Sequence, residues 1–117
     1  MAKTYSWSTD AEEVRRLFTL TFDDLHFLEP LRADAQRLYR ALVLVWARVE
    51  RVLVSDPSSI PEEVITHVSR QLSLKPSVLS QLHNHPSARS ATFEAVRKHL
   101  DVRAQAGSRM QSNYLPT

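Results

Sequence analysis

Cysteine is absent from this sequence, and glycine occurs once, at Gly107. The first absence excludes disulfides and thiolate metal sites. The second argues against an all-β fold, because the turns between strands draw heavily on glycine. The first residues, MAKTYSWSTDAEEV, contain no apolar stretch like a signal peptide. No run approaches the length of a membrane span, and the longest apolar segment covers residues 41–47. A soluble, cytoplasmic protein with no membrane partner is the expectation. Enzyme motifs are missing as well: there is no glycine-rich phosphate loop, no G-x-S-x-G and no H-E-x-x-H. The chain is therefore expected not to be an enzyme and to need no cofactor.

What is present points to helix. Ala, Leu, Arg, Glu and Gln are frequent, and all favour helix. With 117 residues, 43% of them hydrophobic, the chain suits one compact domain. The expected fold class is all-α: a compact bundle of about six helices with a helix-turn-helix-like C-terminal half. Residues 1–103 form the expected helical domain. Residues 104–117, AQAGSRMQSNYLPT, lack periodicity and are expected to be a linker or disordered tail.

The net charge is only +2, but it is unevenly spread. From Val64 onward there are 7 basic and 2 acidic side chains, together with four of the five histidines. A basic C-terminal half is a mild pointer to phosphate contact.

Helix signals divide the chain. Thr9 or Asp10 can cap AEEVRRLF, with Glu12 and Glu13 in the first turn, where the helix dipole favours acids. Thr21 opens a second helix, and Asp24 three residues on completes a capping pair. Residues 22–28 are expected to bury Phe22, Leu25 and Leu28, before Pro30 ends the helix. The long helix, RADAQRLYRALVLVWARVER over 32–51, has two faces. Leu38, Leu42, Val45 and Val49 recur at helical spacing, flanked by Ala35, Tyr39 and Trp46. Arg37, Arg40, Arg48 and Arg51 fall within roughly 80° of one another on the other side. Asp34 can pair with Arg37. The remaining arginines could meet acids on neighbouring helices, such as Glu12, Glu13 or Glu29, or a phosphate, or a protein partner. Leu44 lies among them, so part of that face can be buried.

After the loop SDPSS, Pro61 opens a helix whose inner side is Val64, Ile65, Val68 and Leu72. Pro76 opens another, with Val78, Leu79 and Leu82 inward. Ser87 is expected to cap the last helix, whose inner side is Ala88, Ala91 or Thr92, Ala95 or Val96, and Leu100.

The last three helices offer the best candidates for function. Asn84, His85, Ser87, Arg89, Ser90 and Thr92 surround the start of the final helix. Backbone amides there can meet a phosphate, small side chains allow close approach, and arginine can reach a guanine edge. Arg97, Lys98 and Arg103 add charge further along, and Arg37 and Arg40 of the long helix are candidates to flank DNA. Adjacent acids point apart on a helix, so Asp23 and Asp24 read as N-terminal acids rather than a catalytic pair. His83 and His85 have no evident third metal ligand, and no metal is expected. Trp46 is expected in the core. Trp7 and Tyr5 either pin the N-terminal arm or touch a partner.

Taken in order, these segments resemble a known family. FTLTFDDLHFL, R-x-D-A-Q-R-L, A-L-V-L-V-W-A-R, I-P-E-E-V, V-S-R-Q-L and F-E-A-V-R-K-H-L-D-V-R are similar to the N-terminal domain of Tn3-family transposases. The similarity spans residues 9–103. It implies a DNA-binding piece of a large DDE transposase that recognises the terminal inverted repeats of the transposon. The catalytic acids of such a protein lie in a distant RNase H-like domain. The implied partners are double-stranded DNA at the transposon ends and other domains or protomers of the transposase. The implied location is the bacterial cytoplasm, on the nucleoid when bound. Arg37 with Asp34 resembles the family's opening of the long helix, and Arg97, Leu100 and Arg103 resemble its ending. Two departures stand out. Arg51, Val52 and Leu53 replace a glycine and an aromatic residue after the long helix. His83, Asn84, His85, Pro86, Ser87 and Arg89 replace a more basic stretch around a T-R pair. An alternative expectation is a protein-interaction module that docks through the arginine-rich face.

Overall fold

The computed structural model describes residues 7, 10–82 and 86–112, and for residues 86 and 102–112 it describes the backbone alone. Five α-helices follow in order: α1 (Ala11–Leu17), α2 (Phe22–Leu28), α3 (Asp34–Glu50), α4 (Glu62–Gln71) and α5 (Pro86–Ser112). Two 3-10 helices, Pro57–Ser59 and Pro76–Gln81, interrupt the connections, and there is no strand among the described residues. The all-α class expected from composition is the one observed. Each of the six expected segments is helical, the one at Pro76 as a 3-10 helix rather than α.

The local signals behave as capping chemistry requires. Asp10 accepts a hydrogen bond from the Glu13 amide at 3.0 Å. Thr21 and Asp24 form a reciprocal capping box, at 3.1 Å from the Asp24 amide to the threonine hydroxyl and 2.8 Å from the Thr21 amide to the carboxylate. Proline stands at the first position of both 3-10 helices and of α5, where no amide proton is needed. Ser87, expected as the cap of α5, lies inside its first turn.

α3 is the hub of the molecule. α2, α4, α5 and both 3-10 helices pack against it, and α1 packs on α4. Its residues from Ala41 to Ala47 are all buried. A helix apolar all round belongs in the interior, and the neighbours of α3 cover it on more than one side. One side carries Leu38, Leu42, Val45 and Trp46 into a cluster with Trp7, Val14, Phe18, Leu28, Ile60, Val64 and Val68. The other carries Tyr39, Val43, Leu44 and Ala47 against Val96, with Phe93 and Leu100 partly buried beside them. Full burial of one such large side chain contributes about 2–3 kcal/mol.

Trp7 belongs to the first cluster. Its ring meets Phe18 edge-on at 4.8 Å and Trp46 at 6.1 Å, and its indole Nε1 donates to Glu50 at 2.9 Å. Trp7 itself is packed into the domain, and the arm around it, residues 1–6, 8 and 9, lies outside the described residues. Tyr5 lies outside the described residues.

The inner face of α2 departs from expectation. Phe22 is 86% exposed and Leu25 41%, whereas Asp24 and Leu28 are buried. The helix is turned by roughly 80° from the face that Phe22, Leu25 and Leu28 suggest. The cause is Asp24, whose partners on α3 and α5 lie inside the molecule.

Only one glycine is available for helix ends, so other residues take left-handed backbone. Arg51 closes α3 at φ 61° and Ser73 follows α4 at φ 58°. Arg51 stands where the sequence resemblance places a glycine, and its conformation is the one glycine favours. α5 continues past Arg103, where the sequence suggests a linker, to Ser112. Residues 113–117 lie outside the described residues.

Candidate nucleic-acid interface

The outward face of α5 is a single stripe. Ser87, Ser90, Ala91, Glu94, Arg97, Lys98 and Asp101 are all exposed, and helical geometry gathers them within about 120°. Arg97 lies at one edge of the stripe and Lys98 about 100° away toward the other, so the two can reach different phosphates. Glu94 and Asp101 share the stripe, so its charge is balanced. Ser87 and Ser90 lie on it near its start.

The other expected contact residues divide. Thr92 is 1% exposed and packs inward on the Val96 side, so it belongs to the core layer of α5 and not to a DNA-facing surface. Arg89 is half-buried, and it lies roughly 80° around the helix from Arg97. Arg89 therefore lies beside the Arg97 edge of the stripe and on the opposite side of the helix from Lys98. Asn84 and His85 lie outside the described residues, as does His83. Arg103 lies on the helical backbone of α5, beyond the last described side chain. Among the described residues there is no group of three His, Asp or Glu able to hold a metal. No helix among them is long and apolar enough to cross a membrane.

The arginines of α3 turn mostly to internal contacts. Arg48 donates to Asp24 Oδ1 at 2.7 Å, and His99 Nε2 reaches the same oxygen at 2.9 Å. Arg37 donates to the Leu31 carbonyl at 2.7 Å rather than to Asp34. Arg40 lies over the Phe27 ring at 5.8 Å, a cation–π contact, and its burial lowers the guanidinium pKa from its ordinary value. The Nε atoms of Arg37 and Arg40 are both buried. Arg37 and Arg40, expected to flank DNA, are therefore half-buried between α2 and α3, and of the four only Arg51 is exposed. The expected acidic partners Glu12, Glu13 and Glu29 are not the ones used, because Asp24 of α2 takes Arg48.

Asp24 joins three helices: α2, which carries it, α3 through Arg48 and α5 through His99. Burial raises its pKa, but hydrogen bonds from Arg48, the Thr21 amide and His99 outweigh this and hold it at about 2. An ionised carboxylate only accepts, so His99 must donate from Nε2. The imidazole is also stacked on Phe27, with centroids 4.3 Å apart. This knot orients α5 about its axis and thereby decides that Arg97 and Lys98, its neighbours in sequence, face outward. The capping pattern T-F-D-D points to Asp24 in the sequence. Nothing local points to partners 24 and 75 residues away.

A family model described as "Domain of unknown function (DUF4158)" matches residues 2–113. The chain belongs to this family. No curated protein and no solved structure matches it. The match takes in every element of the DUF4158 fold described above, from Trp7 to the end of α5.

Proposed function

We propose that this DUF4158 domain is a DNA-binding domain of a Tn3-family transposase. It recognises part of the terminal inverted repeat and carries no strand-transfer chemistry of its own. The reading rests on the ordered motif series over residues 9–103, which lies wholly inside the matched span. It is supported by the succession of α4, the 3-10 helix at Pro76 and α5, and by the exposure of Arg97 and Lys98 on α5. In helix-turn-helix proteins the last helix of such a unit enters the major groove while its flanks touch phosphates. Ser87 and Ser90 are the close-approach residues in this arrangement, and Arg97 and Lys98 make phosphate contacts. The partners are double-stranded transposon ends and the other domains or protomers of the transposase, in the bacterial cytoplasm on the nucleoid.

Because Glu94 and Asp101 offset the basic pair, the electrostatic part of binding is modest. Fluorescence anisotropy on inverted-repeat and scrambled duplexes, from about 50 to about 200 mM salt, tests the proposal. The repeat is expected to bind more tightly throughout, with a log–log salt slope of about −2 to −3. Arg97→Ala and Lys98→Ala should each weaken both duplexes alike and reduce the slope by about one. Equal affinity for the two duplexes would refute sequence recognition, and no binding to either would refute the reading altogether.

A further inference from the structure

On the opposite side of α4 from the α3 core runs a groove of about 530 Å3 between α1 and α4. Arg15 of α1 and Thr66, His67 and Arg70 of α4 line it, with Glu62 and Glu63 at the α4 N-terminal end. None of these residues is engaged by the proposed α5 surface. Arg15 and Arg70 are exposed. Neither guanidinium makes a hydrogen bond or ion pair among the described residues. Two unspent cations on facing helices line one concavity.

The group between them is His67. The Thr19 hydroxyl donates to the Arg15 carbonyl and lies 3.2 Å from His67 Nε2. A hydroxyl has one proton, and here the carbonyl takes it, so His67 must donate from Nε2. Nδ1 is then the nitrogen left to take up a proton. Burial lowers the His67 pKa from its ordinary value, and the charges of Arg70 and then Arg15 lower it further. Glu63 lies one helical turn away and Glu62 further still, yet the positive field prevails at the ring. The groove is therefore polarised, acidic at the start of α4 and basic around His67.

We propose that the basic end of this groove binds a phosphate group, held between Arg15 and Arg70, with the Thr66 hydroxyl and His67 as hydrogen-bond donors. A phosphate relieves the repulsion between the arginines and favours protonated His67, so binding takes up a proton. The group can come from a nucleic-acid backbone or from free phosphate. Binding of the free ion does not depend on the α5 reading.

The test follows the His67 ring resonances by NMR during titration with inorganic phosphate, at an ionic strength held constant with sodium chloride. Saturable shifts confined to the groove are expected, with a rise in the His67 titration midpoint. Arg15→Gln and Arg70→Gln should each weaken phosphate binding about tenfold, the loss of one charge-assisted contact. Both positions are exposed, and thermal unfolding of each variant checks that the fold is retained. Shifts no different from those in chloride alone, or unchanged binding in both folded variants, would overturn the proposal. The same variants with duplex DNA identify the source. Weaker binding of all duplexes assigns the site to backbone phosphate. Unchanged DNA binding alongside lost phosphate binding assigns it to the free ion. If the chain binds no DNA at all, the phosphate titration still decides the site.

Discussion

On one side of α3, Trp7, Phe18 and Trp46 meet as rings in an apolar cluster. On another, Asp24, Arg48 and His99 close a buried ionic knot beside the Phe27 ring. The first contact is strong because area is removed from water, and it tolerates changes in pH. The second gains less per atom, since desolvation offsets much of the attraction, but it has direction. Apolar packing holds α1 and α4 close to α3. The knot sets which way α2 and α5 face. One region supplies adhesion and the other supplies orientation.

Changes in the apolar cluster should cost most. Phe18 is fully buried against two indoles, so Phe18→Ala is expected to destabilise the fold by about 3–5 kcal/mol in urea unfolding. Asp24→Ala should follow at about 3 kcal/mol, through the lost cap and the stranded Arg48 and His99. A smaller effect for Phe18→Ala than for Asp24→Ala would reverse this division of labour. The knot also carries a pH signature. The Asp24 pKa is about 2 when folded, below its ordinary 3.8. Its contribution is therefore present above about pH 4 and lost as pH falls toward 2, on the order of 2 kcal/mol. Urea titrations across that interval should show the loss in the wild type and less of it in Asp24→Asn.

Smaller effects test the ends and the surface. α3 begins at Ala33 without a side-chain cap and ends at left-handed Arg51. Ala33→Asp and Arg51→Gly should each raise the melting temperature, by up to about 1 kcal/mol of stability. Phe22→Ser should stay within about 0.5 kcal/mol of wild type, because Phe22 is 86% exposed. A cost above about 1.5 kcal/mol would mean that α2 buries the face its apolar residues suggest.

The elements were legible because their signals are short-range. Asp10, Thr21 and Pro76 act within one turn, and the leucine and valine spacing of α3 and α4 needs no distant partner. The stripe of arginines was equally legible as a pattern and misleading as a surface. A helix carries no mark of whether a neighbour will cover it, and α2 and α5 cover most of this one. Thr92 and Val96, rather than Ala91 and Ala95, became the inner face of α5 for the same reason. Two neighbouring faces differed by a fraction of a turn, and contact with α3 selected between them.

Short-range residue patterns account for an all-helical chain, the start of nearly every helix, a central apolar helix and the motif order that makes DNA the proposed partner. Those properties depend on backbone propensity, capping and periodicity, which act over a few residues. Tertiary packing settled that Asp24 lies inside with Arg48 and His99, that Phe22 lies outside, and that Arg15 and Arg70 line one groove. Each of those outcomes depends on residues far apart in the chain. Which charge meets which is settled only when the helices have packed and water has been excluded between them.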